Sequence, residues 1–244
     1  MKECSWFENW FDSKYYHILY GNRDESEAEL FLNNLLHKLK PGPGARIHDL
    51  CCGRGRYAVL LNKHGFDVIG SDLSAESIQY ASRYSNKTLS FLVSDMRQTS
   101  HFAYFDYVFN LFTSFGYFAS DAEHEQVIQA VHKSLKQGGI FILDYMNAVK
   151  TIPNLKPFDT REAQGIHFEI KKSLAQGYIV KDIRFTDKGK NFHFTERVRA
   201  YSHPDFERML TSNGFELMEV WGDYALNPFN PDKSDRLILM ARKN

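Results

Sequence analysis

Hydrophobic and polar positions follow two different rhythms along this chain. Between about residues 46 and 147, short β-rich runs alternate with longer helical patterns. The runs predict strands at residues 46–51, 66–74, 89–96, 104–112 and 139–147, and helices at 55–65, 75–85 and 121–139. Strands and helices that alternate in this way form crossover units, so we expect a parallel sheet covered on both faces. Ligands of such sheets bind beyond the carboxyl ends of the strands, where the strand order reverses.

The rhythm changes near residue 150, where Pro153 and Pro157 interrupt the pattern. Three consecutive strand-like runs with Gly-containing turns follow, at residues 165–174, 177–189 and 190–202. Runs of this kind, joined by short turns, predict an antiparallel meander.

A capped helix and two strands are predicted after the meander. Ser202 or Asp205 is the expected N-cap of this helix, and Asn213-Gly214 is its expected end. The two strands that close the chain are expected at residues 215–224 and 234–242.

The size and charge of the chain exclude several classes of function. Its 244 residues are enough for one large buried core. Lys plus Arg and Asp plus Glu number 30 each, so no overall charge recruits nucleic acid or an anionic membrane. No run of 18 apolar residues occurs, and the N-terminus lacks the apolar stretch of a secretion signal. We therefore expect a cytoplasmic protein that acts on a small molecule, without membrane or nucleic-acid partners.

Metal and disulfide chemistry are not expected. The three cysteines, Cys4, Cys51 and Cys52, are too few and too unevenly spaced for a disulfide framework or a four-ligand zinc site. The ten histidines show no metal-binding spacing such as H-E-x-x-H. We interpret Cys51 and Cys52 as small residues where a helix packs closely on a strand.

The segment of residues 49–59, "DLCCGRGRYAV", is the main candidate for a ligand site. Gly53, Gly55 and Ala58 have the spacing G-x-G-x-x-A between a predicted strand and a predicted helix. Asp72 follows the second strand, near the distance expected of a ribose-binding acid. Any α/β protein that binds a nucleoside can share these features, so they leave a nicotinamide dinucleotide and other nucleoside cofactors open.

Acidic residues at three successive strand ends distinguish between these cofactors. Asp49 stands four residues before Gly53, where a carboxylate would repel a pyrophosphate and attract an ammonium group. Asp72 can accept ribose hydroxyls, and Asp95 can accept the adenine amino group while Met96 packs on the ring. S-adenosylmethionine contains the same ribose and adenine, has no phosphate, and carries an ammonium on its amino-acid end. The three acids therefore favour S-adenosylmethionine as the cofactor.

In these segments the sequence resembles the class I S-adenosylmethionine-dependent methyltransferases. The stretch "HDLCCGRGRYAVLL" resembles the glycine-rich first motif of the family, "GSDLS" its ribose-binding acid, and "SDM" its adenine-binding turn. "FDYVFNLFTSFGYF" resembles the fourth-strand motif, and "LKQGGIFILDY" the approach to the fifth strand. The resemblance is close over residues 44–147 and looser over the C-terminal third. It implies a Rossmann-like, doubly wound α/β sheet of seven strands, mostly parallel with the last strand antiparallel, plus a small antiparallel β insertion.

The resemblance also implies a domain organisation. Residues 44–150 and 201–244 would bind S-adenosylmethionine, residues 151–200 would form the β insertion as a substrate lid, and residues 1–43 an aromatic helical lid. The fourth-strand motif lacks the Asn/Asp-Pro-Pro-aromatic signature of enzymes that methylate amino groups of nucleic acids. We therefore expect methyl transfer to a small molecule by in-line displacement, with S-adenosylhomocysteine as the product, in a monomer or homodimer. The alternatives are a non-catalytic sensor or regulatory protein, an RNA methyltransferase and an NAD-dependent oxidoreductase.

Both sides of the expected reaction have candidate residues. On the motifs that match the family, the cofactor-binding residues would be Arg23, Asp49, Cys51, Gly53, Gly55, Asp72, Leu73, Asp95, Met96, Asn110 and Leu111, with Arg23 on the methionine carboxylate. The acceptor-binding residues would be Tyr16, Tyr20, Thr113, Phe115, Tyr117 and Tyr145. An acceptor that must lose a proton needs a base, for which the candidates are Tyr16, His17 and Tyr117.

Two segments have two interpretations each. The N-terminal segment is rich in Trp, Phe and Tyr between residues 6 and 20, and forms either a packed aromatic helix or a lid over the cofactor. The meander carries eight Lys and Arg against four acids over residues 165–200. Alternation along strands favours a solvated outer face for these charges, and an RNA-facing patch is the alternative.

Overall fold

The computed structural model describes residues 6–21 and 25–244, and a seven-stranded sheet forms its centre. In chain order the strands are β1 Arg46–Leu50, β2 Asp67–Asp72, β3 Leu89–Val93, β4 Phe105–Asn110, β5 Leu135–Met146, β6 Phe158–Ala163, β7 Ile166–Ala175, β8 Tyr178–Asp187, β9 Lys190–Arg199, β10 Phe215–Trp221 and β11 Arg236–Lys243. The central order is β10-β11-β5-β4-β1-β2-β3. β1 to β5 pair in parallel, whereas β11 pairs antiparallel with β5 and β10. The predicted doubly wound sheet with one antiparallel strand is confirmed.

Helices cover both faces of the central sheet. In the described ranges they are α1 Trp6–Phe11, α2 Lys14–Leu19, α3 Glu25–Leu39, α4 Arg56–Lys63, α5 Ala75–Ala81, α6 Asp121–Ser134, α7 Ala148–Thr151 and α8 His203–Ser212, with a 3-10 turn at Ser82–Tyr84. Side chains alternate across a strand, so neighbours face opposite ways. Accordingly Phe141 and Leu143 of β5 pack with α6 and α8, whereas Ile142 packs with α3, α4 and α5.

Helix α8 begins at the cap that the sequence predicts. The Ser202 side chain accepts from the backbone of Asp205, and the Asp205 carboxylate accepts from the Ser202 N–H at 3.0 Å. The two candidate cap residues therefore act together as a capping box. None of the helices in residues 6–21 and 25–244 is long and apolar enough to cross a membrane.

Part of the N-terminal segment belongs to the core of the α/β domain. Phe31, Leu32 and Leu35 of α3 are buried in the same cluster as Tyr57 and Leu61 of α4. The aromatic helices α1 and α2, in contrast, lie against the second sheet. Within the predicted segment of residues 1–43, helices α1 and α2 are therefore separate from the core of the α/β domain.

The second sheet is antiparallel, in the order β6-β7-β8-β9. β7, β8 and β9 are the predicted meander, and the sequence did not predict β6. β6, "FDTREA", lies at the sheet edge and is mostly exposed, so it lacks the apolar alternation by which strands are recognised. Pro157 precedes it directly, a residue that is compatible with an edge strand.

The inner face of the second sheet packs on α1 and α2. Trp10, fully buried, lies with its ring centroid 4.6 Å from that of Phe194, and Tyr15 lies 4.6 Å from Phe185. This apolar cluster holds the N-terminal helices in place. The packing that the first interpretation predicts is therefore present for residues 6–20, and the lid interpretation stays a prediction because the same helices also border the cavity.

The second sheet is also tied to the loop that follows β4. The Arg199 N–H donates to the Gly116 carbonyl at 2.8 Å. The Tyr178 hydroxyl lies 3.0 Å from the carbonyls of Phe118 and Ala119. The insertion and this loop are thus joined by main-chain and side-chain hydrogen bonds.

Candidate active site

A cavity of about 950 Å³ opens at the carboxyl edge of the central sheet. Its walls come from the turn after β1, the ends of β2 and β3, the loop after β4, helices α1 and α2, and the inner face of the second sheet. The carboxyl ends of the parallel strands meet here, as expected for an open α/β sheet. We therefore regard this cavity as the candidate active site.

The turn after β1 leaves room for a ligand to approach its backbone. Gly53 has φ +55°, and a Cβ placed on it would meet no heavy atom within 4 Å. Gly55, with φ +82°, is packed on its other side, because a Cβ there would lie 2.8 Å from the Phe91 ring. Cys51 also has a positive φ, +64°, although it is not a glycine. Open space lies over Gly53, and the helix-strand packing lies behind Gly55.

Asp49 is a buried carboxylate with an unsatisfied oxygen. It is 2% exposed, and its Oδ2 has no hydrogen-bond partner among the described residues. Burial raises the pKa of Asp49 to about 7, and the charge of Asp72 adds to the effect. A ligand ammonium would satisfy Oδ2 and favour the ionised form, whereas a pyrophosphate would add negative charge. The residues present therefore fit S-adenosylmethionine better than a dinucleotide.

Asp72 organises the turn that faces the cavity. Its carboxylate accepts the backbone N–H of Gly53 and of Ser74, both at 2.9 Å. Burial raises the pKa of Asp72, although these hydrogen bonds oppose the shift. The carboxylate joins the turns after β1 and β2 and lines the cavity.

Asp95 and Met96 lie where the sequence places them, at the end of β3, and both line the cavity. The Asp95 carboxylate already accepts Arg97, with Nε at 3.0 Å from Oδ2. Arg97 in turn reaches Glu123 at 2.7 Å. Met96 Sδ lies 3.4 Å from Cys51 Sγ. An adenine amino group would therefore have to share Asp95 with Arg97.

The N-terminal helices dock onto α5, beside the Asp72 turn. Oδ1 of Asp12, between α1 and α2, accepts the Ser74 hydroxyl at 2.7 Å and the Glu76 N–H at 3.0 Å. Nε2 of His17 lies 3.3 Å from the Ser77 hydroxyl. A smaller cavity of about 290 Å³ lies between α1 and residues 72–75. These contacts cover the cavity beside the Asp72 turn.

The second sheet contributes an ion pair to the cavity wall. Lys181 Nζ lies 2.8 Å from Glu196 Oε2 and 3.0 Å from the Tyr20 hydroxyl. Glu196 Oε1 accepts the Trp10 indole N–H at 2.7 Å. Lys181 therefore points inward, which corrects for this residue the expectation of a solvated outer face, whereas Lys171, Arg184, Lys188 and Lys190 are exposed as expected. Lys172 is also directed inward, where it pairs with Asp159 at 3.1 Å.

The loop after β4 begins with two residues in an unfavourable conformation. Phe112 and Thr113 have φ angles of +61° and +57°, a region that favours glycine. The Asp144 carboxylate accepts the Phe112 N–H at 2.8 Å, and the Asp144 carbonyl accepts the Thr113 N–H at 3.0 Å. The cavity wall at Phe112 and Thr113 is thus shaped by hydrogen bonds to β5.

Most of the predicted site residues lie together. The residues that line the cavity are Tyr16, His17, Tyr20, Asp49, Cys51, Gly53, Gly55, Asp72, Leu73, Asp95, Met96, Leu111, Thr113 and Tyr117. Asn110 is fully buried, and its side chain donates to the Leu50 carbonyl at 3.1 Å. Arg23, predicted to bind the methionine carboxylate, lies outside the described residues.

Phe115 and Tyr145, two residues predicted to contact the acceptor, do not reach the cavity. Both are fully buried in the core that contains Phe206 and Tyr201. The Tyr145 hydroxyl donates to the Arg199 carbonyl. These two side chains therefore support the loop after β4 and the insertion from behind.

The sequence analysis did not single out Lys181 and Glu196 as site residues. Their strand positions contain a signal, because alternate residues of a strand share a face. Lys181 lies between Ile179 and Ile183 at intervals of two, and Glu196 lies between Phe194 and Val198. The alternation therefore places both charges on the apolar, inward face.

The chain is similar to known methyltransferases in sequence and in structure. A family model described as "Methyltransferase domain" matches residues 47–139. The putative methyltransferase YqeM of Bacillus subtilis is 27% identical over 209 residues, 82% of this chain and 84% of that protein. Glycine/sarcosine N-methyltransferase of Aphanothece halophytica is 31% identical over 238 residues, 91% of this chain and 83% of that protein. An S-adenosylmethionine-dependent methyltransferase from Clostridium acetobutylicum has a TM-score of 0.80 and 19% identity, over 94% of this chain and 96% of that chain.

Proposed function

The chain belongs to the class I S-adenosylmethionine-dependent methyltransferases, and we propose that its methyl acceptor is a small molecule bound between the N-terminal helices and the β insertion. The main observation that supports this proposal is the size of the cavity. Its volume of about 950 Å³ exceeds what a cofactor of this size needs. With the methyl donor at the ends of β1, β2 and β3, the remaining space would lie toward the insertion.

Residues at the ends of β1, β2 and β3 would hold the methyl donor. Asp49 would bind the methionine ammonium, Asp72 the ribose hydroxyls, and Asp95 with Met96 the adenine. The open space over Gly53 would admit the cofactor against the backbone. S-adenosylmethionine supplies an electrophilic methyl group on a sulfonium sulfur. The task of the chain is then to align an acceptor with that methyl group and to exclude water.

A second group of wall residues, which we call the acceptor half, would hold the acceptor. It consists of Tyr16, Tyr20, Thr113, Ser114, Tyr117, Met146, Ile179, Lys181, Glu196 and Val198. Aromatic and aliphatic side chains dominate it, with one ion pair. Such a lining suits a small molecule with few polar groups. In this proposal α1, α2 and the insertion, residues 151–200, act as lids.

The relatives and the charge distribution support a small acceptor over RNA. The Aphanothece halophytica protein is named for glycine and sarcosine, which are both small molecules. The basic residues of the insertion do not form one outer patch, because Lys172 and Lys181 pair with acids on the inner face. An electrostatic RNA surface would need those charges in solvent.

Incubation with S-adenosylmethionine labelled in its methyl group tests this function. The purified protein is mixed with three fractions of a cell extract: metabolites, RNA and protein. We expect label in the metabolite fraction. Label confined to RNA or protein would contradict the proposal, and so would the absence of any labelled product. The Asp72→Ala variant serves as the control for contaminating activity, because its donor binding should be weak.

A further inference from the structure

Three hydroxyl groups of the acceptor half already form hydrogen bonds within the protein. The Tyr117 hydroxyl donates to the Thr113 carbonyl, and the Ser114 hydroxyl donates to the Leu111 carbonyl at 2.8 Å. Thr113 Oγ1 accepts Nη2 of Arg236 at 2.9 Å. Burial raises the pKa of Tyr117, so its phenol stays protonated at neutral pH. These groups can orient an acceptor, but they are poorly placed to remove its proton.

Among the described residues of the acceptor half, Glu196 is the one that carries a carboxylate. Oε1 accepts the Trp10 indole, and Oε2 lies 2.8 Å from Lys181. Burial favours the neutral acid, but the Lys181 charge outweighs it and lowers the pKa of Glu196. A carboxylate with two protein donors and a lowered pKa is a weak base.

The other titratable side chains near the acceptor half, those of Tyr16, His17 and Tyr20, line the cavity, and each already interacts with other protein groups. Burial, together with the charge of Glu196, raises the pKa of Tyr20. The imidazole of His17 is directed at Ser77 of α5, the helix that follows the Asp72 turn. The aromatic ring of Tyr16 packs edge-on against Phe11, with centroids 4.9 Å apart. The described residues of the acceptor half can therefore bind and orient an acceptor, but each of their proton-accepting groups already interacts with another protein group.

We propose that the methylated atom of the acceptor is an amine nitrogen. This inference rests on the proposed function and names its substrate class. A neutral amine has its own lone pair, which forms the new N–C bond while the donor C–S bond breaks and leaves its electron pair on sulfur. The N-methylated product is an ammonium, and it loses its proton to water. An alcohol, in contrast, needs a base to remove its proton in the reaction.

The ion pair adds a second feature to the acceptor. An ammonium has three donors, and Lys181 uses two of them, for Glu196 and Tyr20. Its side chain is 30% exposed and lines the cavity, and the structure describes no protein acceptor for its third N–H. The amine therefore carries an oxygen, as in a carboxylate or hydroxyl, that accepts from Lys181. An amine that arrives as an ammonium loses that proton to water before the transfer, because only the neutral form has the lone pair that attacks the methyl group.

The position of the label in the product tests the inference. Deuterated methyl S-adenosylmethionine and the metabolite fraction are incubated with the protein, and mass spectrometry locates the trideuteromethyl group. Label on nitrogen is expected. Label on oxygen, sulfur or carbon of a metabolite overturns the inference and leaves the small-molecule function standing. Label only in macromolecules, or none, overturns the proposed function and the inference with it.

A binding measurement tests the role of Lys181 without turnover. The identified acceptor is titrated calorimetrically into protein saturated with S-adenosylhomocysteine. Lys181→Met should weaken acceptor binding about tenfold to a hundredfold, the effect of one hydrogen bond to a charged group. Tyr20→Phe, which keeps both charges, should weaken it less. Equal acceptor affinity in the parent and in a Lys181→Met variant that still binds S-adenosylhomocysteine would overturn this role.

Lys172→Met is the matched control for Lys181→Met. Lys172 lies on the same inner face and also pairs with a carboxylate, that of the more exposed Asp159 at 3.1 Å, and it does not line the cavity. Its replacement should leave acceptor affinity within about twofold. A loss as large as that of Lys181→Met would assign the effect to the sheet and overturn the direct contact.

Discussion

Oδ1 of the fully buried Asp144 lies 2.8 Å from Nε and 2.7 Å from Nη2 of Arg236. The two residues are 92 positions apart, on the neighbouring strands β5 and β11. Together they hold the loop after β4, because Oδ2 of Asp144 accepts Phe112 and Arg236 reaches Thr113. A buried ion pair thus fixes two residues in a conformation that they would otherwise avoid.

Arg236→Met should strongly destabilise the protein. The change leaves the Asp144 carboxylate buried without its cation, a loss of about 3–5 kcal/mol in the free energy of unfolding. For a chain of this size the melting temperature should fall on the order of 10 °C. Differential scanning calorimetry measures both quantities. The double variant Arg236→Met, Asp144→Asn should recover part of the loss, because the buried charge is removed.

The Arg242–Glu216 pair is the control for this effect. Its nitrogen-oxygen distance is 2.6 Å, but the two side chains are 46% and 48% exposed. Arg242→Met should therefore cost less than about 1 kcal/mol. Similar losses for the two single variants would contradict a special role for the Asp144–Arg236 pair.

Asp72→Ala should weaken cofactor binding. Its carboxylate is the proposed acceptor of the ribose hydroxyls, and hydrogen bonds to a charged group are worth about 1.5–3 kcal/mol. The dissociation constant for S-adenosylhomocysteine should rise about tenfold to a hundredfold in isothermal titration calorimetry. Asp67→Ala, at the opposite end of the same strand, should leave it unchanged. Unaltered affinity in folded Asp72→Ala would remove Asp72 from the site.

Cofactor affinity should depend on pH through Asp49. The pKa of its carboxyl group is about 7 in the free protein, and a ligand ammonium needs the ionised form. Affinity for S-adenosylhomocysteine should fall about tenfold per pH unit below pH 7 and level off above it. Methylthioadenosine, which has no ammonium, should not show this dependence. A shared dependence of both ligands would point to a group other than Asp49.

The same pKa predicts how Asp49 affects stability. Because the folded pKa lies above the unfolded value, the folded state binds the proton more tightly. Stability of the free protein is therefore lost as pH rises from about 4 to 7. Asp49→Asn should avoid this loss, so the variant should melt at a higher temperature than the parent at pH 8 and bind the cofactor weakly. A lower melting temperature at pH 8 would contradict the assignment.

Asp12→Ala should loosen the N-terminal helices over the cofactor. The change removes the acceptor for Ser74 and for the Glu76 N–H, at 2.7 and 3.0 Å. S-adenosylhomocysteine should then dissociate roughly tenfold faster, as two hydrogen bonds of about 1 kcal/mol each would allow. Stopped-flow fluorescence measures the rate.

Asp187→Asn provides the comparison for Asp12→Ala. Asp187 accepts the Tyr15 hydroxyl at 2.9 Å, so it fastens α2 to the insertion at the other end. Its replacement should change cofactor dissociation little. If the cofactor dissociated from Asp187→Asn as fast as from Asp12→Ala, the two helices would move as one rigid unit. That result would contradict a specific role for the Asp12 contacts.

Much of the fold follows from local patterns in the sequence. Alternating runs predict β1 to β5 and their helices, because the periodicity of a strand differs from that of a helix. The same local patterns fail for β6, whose residues are mostly polar and exposed at a sheet edge. Pairing with β7 stabilises that strand, and no feature of its own sequence predicts the pairing.

The sequence predicted correctly those cavity residues that the strand topology alone brings together. Asp49, Asp72 and Asp95 end successive parallel strands, so their meeting at one edge follows from the fold class. Phe115 and Tyr145 also follow or end strands, but position along the chain does not fix which way a side chain points. The Asp144–Arg236 contact depends on the register of β5 and β11, which a single sequence does not contain.

The hydrogen bonds between the insertion and the loop after β4 affect how this enzyme could be re-engineered. Arg199 holds Gly116, and Tyr178 holds Phe118 and Ala119. Gly116 has φ +93°, and a Cβ on it would collide with the Tyr145 hydroxyl, so the loop tolerates little variation there. A graft of a foreign insertion alone would leave these partners unmatched. The transferable cassette is therefore the insertion together with residues 112–120, which would move into a chimera as one piece.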